Sequence, residues 1–346
     1  MAKIITMGEI MLRLSPPNHE RFMQAKEFDI HYGGAEANTA VTLSQLGHET
    51  EFVSAVPNNE IGKSAVAFLK KFGVGTKYIA KTGDRLGIYF CENGSAVRSS
   101  QVIYDRANSS IATATEENFD FDEIFKDADW FHFTGITPAL SDNTAKLIEK
   151  ALISAKKHGV TVSIDLNYRK KLWSVEKASV VLKHLFQYVD VCTGIYIDDN
   201  GVDSLFGFKQ KQPINDNDEY NIAGYKSVFE QMSQQFGFKY CVSTLRTNRS
   251  ASNNDLLACV YNAQTKEIYK SNRYLISPII DRIGGGDSLI AAFIGAILNK
   301  ADYRYALEMG VAASAIKHTI PGDVNYVSYE EINNIIQGNT SGQIQR

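Results

Sequence analysis

Short apolar runs alternate with helical stretches along most of this chain, and that rhythm leaves few ways to fold it. Apolar runs at 3–7, 51–56, 76–80, 130–133, 160–166, 189–193 and 240–244 read as strands, and helical periodicity marks 35–46, 62–72, 143–157, 175–186 and 225–236. Two further strands, 256–261 and 267–269, read as a hairpin, and helices from Ser288, Tyr303 and Tyr329 close the chain before a polar tail at 338–346. Strands separated by helices favour a mostly parallel sheet covered on both faces. Ligands on such sheets collect at the carboxyl ends of the strands.

One stretch breaks the rhythm. Residues 88–92 and 101–106 are strand candidates around Asn93-Gly94 and a polar tip, the pattern of a hairpin. With the strand at 11–14 and the mixed polar and aromatic segment 22–32, it is expected to form a small sheet standing off the main body. A sheet so placed can act as a lid that keeps water from a transfer site.

The chemistry concentrates at 281–287, Asp-Arg-Ile-Gly-Gly-Gly-Asp, which runs into a helix, 288–298, apolar on all sides. Such a helix is buried, so its start faces inward. The first turn of a helix leaves amides unpaired and carries about half a positive charge, and glycines let an anion approach closely. Gly284, Gly285 and Gly286 are therefore candidates to stabilise a transferring phosphoryl group, with Asp287 placed at a hydroxyl beside it. The helix start also favours an ionised Asp287 at neutral pH.

Two arginines and a tyrosine suggest what carries that hydroxyl. Arg169 follows a buried-looking strand and emerges at the carboxyl edge; Tyr104 and Arg106 are two apart and can share a face. Guanidinium groups offer paired donors that match a carboxylate, which a neutral sugar lacks. A formal charge of −3 argues against a nucleic-acid or anionic-membrane partner. Cys91, Cys192, Cys241 and Cys259 are widely separated, which reads as buried reduced thiols and a cytoplasmic location, and the longest uncharged apolar run, 289–298, is too short to span a bilayer.

At 33–40, Gly-Gly-Ala-Glu-Ala-Asn-Thr-Ala, the chain resembles the first signature of the ribokinase-like (PfkB) carbohydrate kinases, and 281–287 resembles their second, about 250 residues later. Within that family it looks most like the 2-keto-3-deoxygluconate kinases. The likeness rests on Tyr-x-Arg at 104–106, Asn-Tyr-Arg at 167–169, Thr-Leu-Arg at 244–246 with Ser-Ala-Ser at 250–252, and Lys-His-Thr-Ile-Pro-Gly-Asp at 317–323. The resemblance implies a ribokinase-like three-layer α/β sandwich over residues 1–338, with a mostly parallel central sheet and lid strands from about 9–33 and 87–107. It further implies ATP-dependent phosphorylation of a keto-deoxy sugar acid at its terminal hydroxyl, with Mg2+. Asp287 takes the hydroxyl proton, and the amides of Gly284, Gly285 and Gly286 hold the transferring charge. Gly34, Tyr89, Tyr104, Arg106, Arg169 and Asp323 fall to the sugar acid; Asn167, Ser243, Thr244, Arg246, Arg249, Gly284 and Gly286 fall to ATP.

One departure stands out. Relatives carry Asn-x-x-Glu after the strand that ends near Thr193, where it helps organise the water around the nucleotide's magnesium. This chain has Ile195 and Asp198 at those positions. Asp198 can serve through water, because magnesium keeps several of its own. Two rival readings are a kinase of neutral sugars, fructokinase or ribokinase, and a catalytically silent sugar-acid sensor. The exposed face and edges of the small sheet make a homo-oligomer, such as a dimer paired through that sheet, the expected assembly.

Overall fold

The structure, a computed structural model, describes residues 2–197, 201–210 and 219–339. In chain order the strands are β1 (Lys3–Met7), β2 (Met11–Ser15), β3 (Asp29–Gly33), β4 (Glu49–Val56), β5 (Ile79–Lys81), β6 (Gly87–Glu92), β7 (Gln101–Asp105), β8 (Trp130–Thr134), β9 (Thr161–Asp165) and β10 (Val191–Thr193). They continue with β11 (Tyr240–Asn248), β12 (Asn254–Asn262), β13 (Glu267–Lys270) and β14 (Tyr274–Ile276).

Among the described residues the main sheet runs β13-β12-β11-β10-β9-β8-β1-β4-β5, with β14 also paired to β12. Pairs from β11 to β5 along this order are parallel, and β12 pairs antiparallel with β11, β13 and β14. The parallel strands are apolar on both faces because helices cover both. All of β8, Trp-Phe-His-Phe-Thr, is buried, Trp130 joining the apolar cluster on one side and Phe131 and Phe133 that on the other.

The lid is a second sheet of order β3-β2-β6-β7. Its register sorts two rows. Ile30, Leu14, Phe90 and Ile103 lie side by side on one face, while His31, Arg13, Tyr89 and Tyr104 lie side by side on the other. The first row is apolar, with Phe22 and Phe28 packed on Phe90. The second row is polar and looks into the molecule.

Four expectations change. The helix of the second glycine signature spans Gly285–Leu298, so the glycines form its first turn instead of a loop ahead of it. Asn93 and Gly94 do not make a tight turn: strands β6 and β7 are joined by residues 93–100, bridged between Ser95 and Arg98. In segment 22–32 strand pairing begins only at Asp29, and the strand expected at 76–80 is confined to Ile79–Lys81. Asp198 and the tail beyond Asn339 lie outside the described residues, as does 211–218 of the polar loop.

Candidate active site

A cleft of about 1350 Å³ opens between the lid and the carboxyl ends of the main strands, and both glycine signatures line it. Gly34 caps the helix Ala35–Gln45, and a Cβ at that position would collide with the Glu9 carbonyl. Gly284 caps the helix Gly285–Leu298 with φ 81, a left-handed conformation that suits glycine, and a Cβ there would collide with the Asp323 carbonyl. The first hydrogen bond of this helix runs from the Ser288 N–H to the Gly284 carbonyl, so the amides of Gly285, Gly286 and Asp287 precede it. Gly286 faces open space, whereas Gly285 is backed by the His318 ring. Burial pushes that imidazole down to about 4, so it is neutral.

Asn38 joins the two signatures. Its Nδ2 donates to Asp287 Oδ2 at 2.7 Å, while its Oδ1 accepts from the Gly34 N–H at 3.3 Å. The helix Ala35–Gln45 is itself fixed by Glu36, whose buried carboxylate accepts from the Thr134 amide and from the Thr134 and Thr137 hydroxyls. Asp287 departs from its sequence expectation. Burial raises its pKa to about 7, the Asn38 hydrogen bond works in the opposite sense, and the nearby Asp165, Glu36 and Asp323 push it up further. The helix start favours the carboxylate, but desolvation and three neighbouring acids outweigh it. Such a group is poised to take a proton near neutral pH.

On the lid side, Tyr89 and Tyr104 are cross-strand partners with ring centroids 5.7 Å apart, and the Arg106 guanidinium lies 5.4 Å from the Tyr104 ring centre. Arg106 is also held by Glu9, its Nε donating to Oε2 at 2.8 Å. Arg169 lines the same cleft, close to Asp165 at the end of β9. Asp323 lines the cleft as well, yet both its oxygens are engaged: Oδ1 pairs with Arg13 Nη1 at 2.9 Å and Oδ2 accepts from the Tyr89 hydroxyl.

Like Asn38 and Asp165, Arg13 is a residue that sequence reading missed. It is fully buried, and its Nη2 also reaches Asp281 Oδ2 at 2.7 Å. Burial would push the guanidinium down, but Asp323 and Asp281 overcome that and hold it charged. Asp281 in turn accepts from the Ile283 amide at 3.0 Å and the Gly322 amide at 3.1 Å, so this ion cluster fixes both loops around Gly284. A signal existed: Arg13 sits on the same face of β2 as buried Met11 and Ser15, and a charge on a buried face needs a partner.

On the nucleotide side expected from sequence, Thr244 and Arg246 line the cleft and both meet the Tyr196 hydroxyl, at 2.9 Å and 3.3 Å. Asn167 lines it too, at φ 37, with its amide donating to Asp165 Oδ1 at 3.2 Å. Ser243 and Arg249 do not line it: the Ser243 hydroxyl donates to the Ile195 carbonyl, and Arg249 Nε to Asp255 Oδ2 at 2.8 Å. Ile195 is fully buried and offers no side-chain ligand. Among the described residues no group of three or more His, Cys, Asp or Glu could cage a metal. Asp165, a half-buried carboxylate at the end of β9 whose pKa is raised by desolvation and lowered by Arg169 and the Asn167 amide, fits a water-mediated contact to a cation carried in with phosphate.

A helix start whose amides face a cleft, with a carboxylate of raised pKa in the same turn, defines a phosphotransfer site on an α/β sheet. The model of the pfkB family of carbohydrate kinases matches residues 1–194, and the chain belongs to that family. It is 32% identical over 342 residues to the 2-dehydro-3-deoxygalactonokinase of Haloferax volcanii, covering 99% of this chain and 98% of the relative. It superposes on the crystal structure of the 2-dehydro-3-deoxygluconokinase of Thermotoga maritima with a TM-score of 0.91 at 43% identity, covering 98% of this chain and 100% of that one. A fructokinase with bound ATP from Xylella fastidiosa shares the fold, at a TM-score of 0.74 and 19% identity over 98% of this chain and 99% of that one.

Proposed function

We propose that this chain phosphorylates 2-keto-3-deoxygluconate at its terminal hydroxyl, using ATP. The observation that carries the reading is that Arg106, its guanidinium over the Tyr104 ring, and Arg169 line the same cleft as Gly34 and Asp287. The likeness to the Thermotoga and Haloferax enzymes supports it. In the reaction the terminal hydroxyl oxygen bonds to the γ-phosphorus, the bond to the β–γ bridging oxygen breaks, and ADP leaves. The hydroxyl proton passes to the Asp287 carboxylate, oriented by Asn38, a contribution of about 10²–10⁴-fold for a positioned base. The amides of Gly285, Gly286 and Asp287 receive the charge of the transferring group, and Arg246 lies on the nucleotide side.

Magnesium brought with the nucleotide would supply positive charge at the phosphates, and Asp165 is the carboxylate that fits its water shell. Residues 1–338 act as one catalytic domain in the cytoplasm, in keeping with four cysteines that are widely spaced in sequence and buried. Among the described residues no helix is long and apolar enough to cross a membrane. Two copies pair through the outer lid face, whose Ile30 and Ile103 remain 65% and 55% exposed. Coupled ATP-consumption kinetics with 2-keto-3-deoxygluconate, its galactonate epimer and fructose test the reading. Preference for the sugar acids supports it; turnover of fructose alone sinks it.

A further inference from the structure

The tip of the lid hairpin rests on the turn that follows β11. The Ala251 amide donates to the Ala96 carbonyl at 2.8 Å, and the Ala96 amide donates to Ser252 Oγ at 2.9 Å. Ala96 makes both contacts from a left-handed backbone, φ 49. A non-glycine residue held there costs about 1–3 kcal/mol and persists where its surroundings fix it, so the strained position marks a contact that is kept. On the lid side the tip is anchored by Arg98, which donates to Glu92 Oε1 at 2.8 Å and to the His19 carbonyl at 2.6 Å.

The far side of the same turn is gripped by Arg282. Its Nε donates to the Ala251 carbonyl at 3.2 Å, its Nη2 to the Ser250 carbonyl, and its Nη1 to Asn254 Oδ1 at 3.1 Å and Asn248 Oδ1 at 3.2 Å. All these acceptors are neutral. Four anchors on one guanidinium fix the turn's backbone to the residue two places ahead of Gly284. Tyr89 and Tyr104 on the hairpin, the tip, the turn, Arg282 and the glycine turn thus form one unbroken chain of contacts around the cleft.

We propose that Ser252 and Arg282 are positioning residues that tie the lid to the glycine turn, so that a sugar acid held under the hairpin tightens nucleotide binding. By linkage the nucleotide tightens the sugar acid by the same factor. The proposal rests on the sugar-acid kinase reading above. It is tested by calorimetry on the intact protein, titrating β,γ-imido-ATP with and without saturating 2-keto-3-deoxygluconate.

The wild type is expected to bind the analogue about tenfold more tightly when the sugar acid is present, within the usual range of coupling between sites. Ser252→Ala, which removes the acceptor, and Ser252→Val, which adds bulk under the tip, should bring that ratio below about twofold, with each ligand alone binding within about twofold of wild type. Arg282→Lys, which keeps the charge and loses the fork, should also lower the ratio. A merely structural role would lower thermal stability and leave the ratio unchanged. A wild-type ratio of one, or a ratio unaltered by both Ser252 substitutions, overturns the proposal alone. Absence of any sugar-acid binding by the wild type overturns the substrate reading and this proposal together.

Discussion

Asn38 and Asp287 stand 249 residues apart in the chain and 2.7 Å apart in the fold. Their hydrogen bond brings the start of the first helix to the start of the helix that holds Asp287, the carboxylate proposed to take the hydroxyl proton. It also favours the ionised form of a group that burial drives toward neutrality. Asp287 is thereby oriented, and its proton affinity moderated, from the opposite wall of the cleft.

Replacing Asp287 with Asn should lower kcat by about 10²–10⁴-fold while sugar-acid affinity stays within a few-fold. Single-turnover kinetics with calorimetry separate the two quantities. Turnover near the wild-type rate would remove Asp287 from the reaction.

The kcat/KM profile should carry an acid limb near pH 7, activity falling as the pH drops and Asp287 takes up its proton. Changing Asn38 to Ala removes a donor to the ionised form and should move that limb to higher pH. The stability effect has the opposite sense. A carboxyl whose folded pKa lies near 7 binds more protons folded than unfolded, so its contribution is complete below pH 4 and lost as pH rises through 7. Asp287→Asn should therefore melt higher than wild type at pH 8; an equal or lower melting temperature contradicts this.

Arg169→Ala should raise KM for the sugar acid by about 10–100-fold, the usual worth of a charge-assisted hydrogen bond, and leave KM for fructose almost unchanged. Parallel losses on both substrates would mean that Arg169 does not meet the carboxylate.

Arg13→Met leaves Asp281 and Asp323 buried without their cation and should cost about 3–5 kcal/mol in urea unfolding. Adding Asp323→Asn, which removes one of the stranded charges, should recover part of that loss. Additive losses in the double variant would show that the two groups do not interact.

Gly284→Ala and Gly286→Ala should behave differently although they are two residues apart. The first meets the Asp323 carbonyl and an unfavourable φ, and should displace the turn and abolish most turnover; the second meets nothing within 4 Å and should fold with an unchanged melting temperature. Equal effects on folding would contradict the geometry of the turn.

The alternation of apolar runs with helices was sufficient to specify a covered parallel sheet, and the two glycine signatures were sufficient to single out two turns that line one cleft, because both depend on local periodicity and local backbone freedom. A strand's period of two was enough to put Tyr104 and Arg106 on one side of the chain, and both line the cleft, as does Tyr89, which only the family resemblance had singled out. The tertiary structure decided what distance in the chain concealed. It assigned Arg13 to Asp281 and Asp323, Glu9 to Arg106, and Asn38 to Asp287, and it turned Ser243 and Arg249 toward structural partners. It also moved Asp287 from the fully ionised state expected to a balance of both forms near neutral pH, since desolvation depends on everything packed around a carboxyl, whereas the helix dipole can be read from the few residues beside it.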